Sequence, residues 1–332
     1  MKPSSFRRKL LLLCSAFVAL PSIALAQGNK QSIKFVVGFP PGGATDAIVR
    51  IITEQLFTEL DQPVIVENKP GAGGRIAADS VLRSPADGLT FMAAPNATPI
   101  FQMLVFKDQV KWDITEDFTP VASMVSYPLG MAVSKKTGAT NVNEFIEWAK
   151  KNPEQSNYGT PGLGGQNAFL GEQFANIADI KLPIVPYKGS APMISDLIGG
   201  HVASGISLVD GMLPHHDAGN IQVIGLFTKE RSSLLPNIPT FLEQGVDVTI
   251  GTAWTGVWAK KGTPEADVKR VRDAIERVLA KPKVKETLMK NLWVEPDFRD
   301  GAGLDELQRN DLAVWGEIIE KSKFSPDSGK KL

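Results

Sequence analysis

Two rhythms of apolar and polar positions alternate along this chain. Short runs of β-branched and aromatic residues, of strand length, are followed by stretches in which apolar residues recur every three or four positions. The first pair organises the rest. Ile33, Phe35, Val36 and Val37 make an apolar run suited to a buried strand, and Ile48, Ile52, Leu56 and Leu60 stack on one face of a following helix. Between them Pro40-Pro41-Gly42-Gly43 breaks the chain, and Thr45 and Asp46 stand where a helix cap or first-turn acid belongs. A strand, a glycine loop and a helix start form a natural anion site, because first-turn N–H groups have no helical partner and the helix dipole adds positive potential.

The same succession recurs. A second strand at 63–68 ends in the glycine-rich loop 69–75, a helix runs to about Arg83, a turn covers 84–88, and a strand follows at 89–94. This β-α-β-α-β order predicts a parallel sheet with helices on both faces. Residues 121–134 read as extended and apolar, and 142–151 as a helix. The stretch 157–167 is a second strand end and glycine loop, leading into a helix at 168–177. A strand at 182–187, a helix at 191–198, and strands near 203–208 and 221–227 complete that unit. Beyond it lie an extended run at 254–259, a helical tail at 266–289 and a last helix near 304–321. The extended segments near 125–133 and 252–259 bracket the second unit and read as crossovers between two α/β lobes. Residues 27–127 and 251–332 form the first, discontinuous lobe and 128–250 the second, with a ligand cleft between them.

Residues 1–26 are expected to be a leader rather than part of the fold. Lys2, Arg7, Arg8 and Lys9 form a basic start, residues 10–20 an apolar core, and Ala24-Leu25-Ala26 a small-x-small site that predicts cleavage after Ala26. The alternative is a retained anchor, for which the apolar core is short. Cys14, the only cysteine, lies within that core; a lipid-anchored cysteine is its other reading, against which Leu13 is a poor preceding residue. The mature chain, expected in the periplasm, then has no thiol for a disulfide or for catalysis. Roughly 300 residues remain, enough for two domains of ordinary size. The whole chain carries 36 basic and 36 acidic residues, and loss of the leader leaves a small acidic excess without the clustered basic footprint of a nucleic-acid partner.

Catalytic constellations are absent from the sequence. Of the three histidines, His215 and His216 are adjacent and cannot both serve one face, and there is no H-E-x-x-H, no G-x-S-x-G and no Walker loop. Gly71-Ala72-Gly73-Gly74 invites a dinucleotide reading but lacks the G-x-G-x-x-G spacing, so a plain helix-start loop is expected, with no cofactor, no metal and no enzyme activity. Binding chemistry remains: Phe39, Thr45, Thr160, Gln166, Asn167 and Tyr187 near the two loops, Pro95 and Asn96 after the third strand, and Trp254 as either a cleft wall or a core side chain. Arg50 and Arg75 are candidates to pair with a carboxylate, Arg50 reading rather as a solvated surface charge.

Six separated segments resemble one family. They are F-P-P-G-G-A-T-D at 39–46, V-E-N-K-P-G-A-G-G at 66–74, S-P-A-D-G-L-T at 84–90, D-F-T-P-V-A at 117–122, V-P-Y-K-G at 185–189 and L-L-P-N-I-P-T at 234–240. The family is the tripartite tricarboxylate transporter substrate receptors, or Bug family of periplasmic solute-binding proteins. The resemblance implies a periplasmic binding protein of type II-like fold that closes around a small carboxylate and delivers it, as a monomer, to membrane transporter subunits. It further implies ligand contacts at Phe39, Gly42, Gly43, Ala44, Thr45 and Asp46 in the first loop, and at Thr160, Pro161, Gly162, Gly165, Gln166 and Asn167 in the second. Two departures fall on the second-lobe wall: Gly165-Gln166-Asn167-Ala168 replaces a serine/threonine-rich stretch ending in histidine, and Ile206-Ser207 stands where many members carry Phe-Asp. A sensing module that presents its ligand to a membrane kinase needs the same cleft, and an exported hydrolase lacks its catalytic groups. The effector domain of LysR-type regulators is excluded by the leader.

Overall fold

The computed structural model describes residues 31–248 and 252–322. The leader and its cleavage site, and the expected lobe boundary at 250/251, lie outside the described residues.

The opening alternation forms as its period dictates. β1 (Ile33–Val37), α1 (Ala44–Leu60), β2 (Val64–Asn68), α2 (Arg75–Arg83) and β3 (Thr90–Pro95) follow one another, and β1 pairs in parallel with both β2 and β3. Ile48, Ile52, Leu56 and Leu60 are all buried. Gln102–Val105 (α3) ends a short helical segment that the periodicity did not predict. The extended stretch 121–134 is not one element: Pro128, which has no N–H to donate, divides it into β4 (Phe118–Tyr127) and β5 (Leu129–Ser134), which belong to different sheets.

The second lobe comprises β5, α4 (Val142–Lys151), β6 (Tyr158–Thr160), α5 (Gln166–Ala178), β7 (Ile184–Pro186), α6 (Ser190–Gly199), β8 (Ser204–Leu208), α7 (Leu213–Asp217) and β9 (Ile221–Leu226). Its sheet runs β7-β6-β8-β5-β9, with β6 parallel to β7 and β8, and β5 antiparallel to β8 and β9. The chain then returns through β10 (Ala253–Lys260), α8 (Glu265–Ala280), α9 (Pro282–Leu292), β11 (Glu295–Arg299) and α10 (Gly301–Ser322). These complete the first sheet as β11-β4-β10-β3-β1-β2, so β10 is a full strand of that sheet, antiparallel to β3 and β4.

Two expectations need correcting. The helical tail is two helices, because Lys281 before Pro282 sits at φ −64, ψ 127 and the residue before proline is pushed out of the helical region. β11 was not expected, since Pro296 breaks its strand pattern; it is an edge strand with irregular pairing, where proline is tolerated. The buried stripe of α10 contains Gln308 and Asp311 among Leu304, Trp315 and Ile319. Both polar residues accept an indole N–H, from Trp258 at 3.0 Å and from Trp254 at 2.8 Å, the partner that a buried indole usually finds.

Candidate functional site

Parallel strands bring the loops at their carboxyl ends to one rim, where open α/β sheets bind ligands. In the first lobe the loops after β1, β2 and β3 gather there, and in the second those after β6, β7 and β8. Close backbone packing demands glycine in the first lobe. A Cβ on Gly38 would lie 2.5 Å from Gly74 Cα, and one on Gly74 2.3 Å from Thr98 Oγ1. The glycines at 71–74 are thereby accounted for by loop packing and helix start, as the sequence suggested.

Between the rims lies a cavity of about 350 Å³, within the range of small-molecule sites. Phe39, Thr45, Pro95, Asn96, Pro161, Gly162, Gly165, Gln166, Asn167 and Ser207, all expected from the sequence, line it. Gly73, Ala97, Gln102, Tyr127, Leu129, Leu163, Ser190, Leu208 and Ala253 line it as well and were missed. Ser190 had a signal in the sequence: Gly189-Ser190 is a third glycine helix start. Gln102, Tyr127 and Ala253 reach the cavity through the tertiary fold and carry no local motif. Among the described residues, no charged side chain belongs to the lining.

Three helices point their N-termini at this cavity: α1 at Thr45, α5 at Gln166 and Asn167, α6 at Ser190. Their N-caps are Gly43, Gly165 and Gly189, and none has a side-chain cap. By contrast α4, away from the cavity, is capped by Asn141 Oδ1, which accepts from Glu144 N at 2.9 Å. Apart from Ala168 N, which donates to Gly165 O at 3.1 Å, first-turn N–H groups of the three cavity helices are thus left for whatever occupies the space.

The first glycine loop differs from expectation in detail. Gly42 and Gly43 do not line the cavity, and their N–H groups are spent on Asp46 Oδ2 (2.8 Å) and Pro40 O (3.3 Å). Asp46, 2% exposed, also stays behind the wall as the organiser of the loop. Its Oδ2 accepts from Arg50 Nε at 2.8 Å and its Oδ1 from Asn68 Nδ2 at 2.7 Å. Burial works against its charge, but the hydrogen bonds from Arg50, Gly42 and Asn68 outweigh that and hold its carboxyl below the ordinary 3.8. Arg50, expected as a free surface charge, is tied to Asp46 and to Asn68 Oδ1 (2.9 Å). Ala44 faces a separate small pocket beside Tyr127 and Trp293.

Three further candidates also sit behind the walls. Thr160 is buried, and its hydroxyl donates to Gly162 O at 2.5 Å. Tyr187 donates its hydroxyl to Asp196 at 2.9 Å, and burial together with that acid pushes the phenol up to about 12. Trp254 takes the core alternative: it is 1% exposed, bonded to Asp311, with its carbonyl accepting from Asn96 N at 2.9 Å.

Asn96 joins the lobes. Its Nδ2 donates to Gln166 Oε1 across the cleft at 3.2 Å and lies 3.4 Å from Asp311 Oδ2. Asp311, which sequence reasoning missed, is pushed up to about 6 by burial, against the hydrogen bonds from Trp254 and Asn96. A stacked pair, Phe101 and Phe169, with centroids 6.3 Å apart, adds an apolar contact between the lobes. Between the sheets, burial raises the Tyr127 phenol to about 12. Among the described residues, no group of three or more His, Cys, Asp or Glu side chains is placed to hold a metal.

Residues 48–324 match the family described as tripartite tricarboxylate transporter family receptor. Protein BugT of Bordetella pertussis is 29% identical over 322 residues, 95% of this chain and 97% of that protein. Among solved structures, R. palustris Rpa4515 with adipate is 29% identical with a TM-score of 0.80, covering 89% of this chain and 98% of that one. MatC (Rpa3494) from Rhodopseudomonas palustris with bound malate is 26% identical with a TM-score of 0.75, covering 87% and 98%. The two α/β lobes described above are the arrangement these binding proteins share.

Proposed function

This chain belongs to the family of tripartite tricarboxylate transporter receptors, and on that premise we propose that it captures a small carboxylate in the periplasm and delivers it to a tripartite-type membrane transporter. The family consists of solute-binding receptors rather than enzymes. Two solved relatives carry adipate and malate, and the same class, a di- or tricarboxylate or an aromatic carboxylate, is the ligand proposed here. Export through a leader cleaved after Ala26, and action as a monomer, complete the proposal.

The observation that carries this reading is the convergence of three uncapped helix N-termini on a cavity that, among the described residues, has no charged side chain in its lining. A carboxylate entering it gives up water. Oriented N–H groups replace that water without a desolvated cation, and each helix end contributes about 0.3–1 kcal/mol, more when partly buried. Thr45, Ser190 and Ser207 hydroxyls add neutral donors, and the Ser190 and Ser207 oxygens already lie 2.8 Å apart. The apolar lining from Phe39, Leu129, Leu163 and Leu208 suits the carbon skeleton. Because donors come from both lobes, a ligand that touches both favours the closed arrangement, which is capture by population shift. A receptor must also let go, and weak neutral contacts suit release better than a buried ion pair.

A thermal-shift panel of residues 27–332 with aliphatic and aromatic acids, their neutral amides, sugars and amino acids tests the reading. A native-state ligand at a hundredfold excess over its Kd stabilises by about 2.7 kcal/mol, which is a shift of a few degrees. The expected result is a shift with one class of acid, recovered chemically unchanged. A shift with sugars or amino acids alone would overturn the assignment.

A further inference from the structure

The site has a cation that never enters its lining. Arg75, at the start of α2, donates Nη1 to Gln102 Oε1 at 2.8 Å and Nη2 to Gln109 Oε1 at 2.9 Å. Its guanidinium also stacks over the Phe106 ring, 4.5 Å from the centroid. Among the described residues no carboxylate pairs with it, so its charge is not cancelled locally. Gln102, in contrast, does line the cavity.

The chemistry of that contact fixes the amide. Arginine has five donors and no acceptor, so the amide oxygen of Gln102 must face Arg75 and the NH2 must face away. Gln102 Nε2 lies against Gly73, another lining residue, where an added Cβ would come within 2.4 Å of it. No acceptor for this NH2 is found among the described residues. A freely rotating glutamine would offer its oxygen or its nitrogen equally, taking an amide or an acid without preference. A glutamine locked by a cation offers only N–H, made more acidic by the charge on its oxygen.

We propose that Gln102 is a specificity-determining residue for the acid group of the ligand and that Arg75 is its positioning residue, turning an uncharged amide into an obligatory anion donor. The inference rests on the carboxylate reading above. It gives the first lobe a side-chain donor beside the α1 terminus, and it explains how a lining without charge can prefer an anion over its neutral amide. Holding the arginine one residue back also avoids a contact ion pair, which would slow release of the cargo.

The test titrates wild type, Gln102→Glu, Arg75→Met and Arg75→Lys calorimetrically with adipate, malate and phthalate, each beside its diamide, after thermal unfolding has established that every variant is folded. Gln102→Glu keeps a partner for Arg75 but presents a carboxylate oxygen in place of the NH2. It is expected to weaken the acid that wild type binds by about tenfold or more while leaving the diamide within about threefold. Arg75→Met frees the amide to flip. It is expected to weaken the acid about three- to tenfold and to lower the acid-to-diamide ratio, with Arg75→Lys recovering part of that ratio. Equal losses for acid and diamide in Arg75→Met, or acid binding untouched in Gln102→Glu, would overturn the inference and leave the carboxylate reading standing. A wild type that binds none of the three acids would overturn the reading on which it rests.

Discussion

Gly165 is a glycine that neither its backbone nor its packing demands. It sits at φ −105, ψ 171, ordinary extended geometry, and an added Cβ would meet nothing within 4 Å. It is also an N-cap, where serine, threonine, asparagine or aspartate would stabilise the helix at least as well. Gly42, Gly162 and Gly189 differ from it, since their φ values of 81, 129 and 108 strain any other residue. What remains for Gly165 is the space it leaves at the mouth of α5, in the lining of the cavity. Gly165→Ser should therefore leave the unfolding temperature unchanged or slightly higher, because the hydroxyl caps α5. The same hydroxyl fills ligand space and takes an N–H that the ligand would use, so acid binding should weaken about tenfold. Thermal unfolding and calorimetry on the same sample check both halves; a destabilised variant would mean that the glycine is structural after all.

At the scale of elements, the contrast between capped and uncapped helices separates stability from function. α4 has a full cap: Asn141 holds Glu144 N, and Glu144 reaches back to Thr140 N at 2.8 Å. Asn141→Ala should cost about 1 kcal/mol in urea unfolding and leave acid binding unaltered, whereas the bare caps of α1, α5 and α6 are already free of such bonds. An effect of Asn141→Ala on affinity would argue against this division. The elements that sequence periodicity made legible are those with one buried face, such as α1 with its Ile48-Ile52-Leu56-Leu60 stripe. Elements set by proline were harder. The break at Pro282 merged two helices in the reading, Pro128 concealed a change of sheet, and Pro296 hid an edge strand. The cavity lining followed the same rule: Thr45, Pro161, Gly162, Gly165, Gln166 and Asn167 were legible from the glycine-loop motif, while Gly42, Gly43, Ala44, Asp46 and Thr160 share the motif and stay out of the lining. Gln102, Tyr127 and Asp311 were not legible, because strand order and an indole partner bring them in, and neither leaves a local pattern. Asp46 carried two readings for a related reason, since a first-turn acid can face a ligand or its own loop, and only Asn68 and Gly42 decide which.

The two lobes meet through a polar chain that runs from Gln166 in the second, through Asn96, to Asp311 and Trp254 in the first. Its far end is a carboxyl pushed up to about 6 by burial, which couples the stability of the whole molecule to pH. In the unfolded chain that group titrates near 3.8. The native state therefore holds the proton more tightly, and stability is greatest below the unfolded value and falls as pH rises through the window from 3.8 to about 6. The charged form is tolerated because Trp254 and Asn96 donate to it, at the expense of a desolvated carboxylate. Asp311→Asn keeps an acceptor for the indole and cannot ionise. Between about pH 4.5 and about pH 7.5 the wild type should lose roughly 2 kcal/mol relative to Asp311→Asn from this group alone. Urea unfolding of both proteins at the two pH values isolates the contribution, because every other titrating group cancels in the difference. Parallel pH profiles would mean that Asp311 ionises as easily in the fold as in the open chain. A widening gap in favour of Asp311→Asn at the higher pH would identify a carboxylate whose burial costs stability, held behind the contact that joins the lobes.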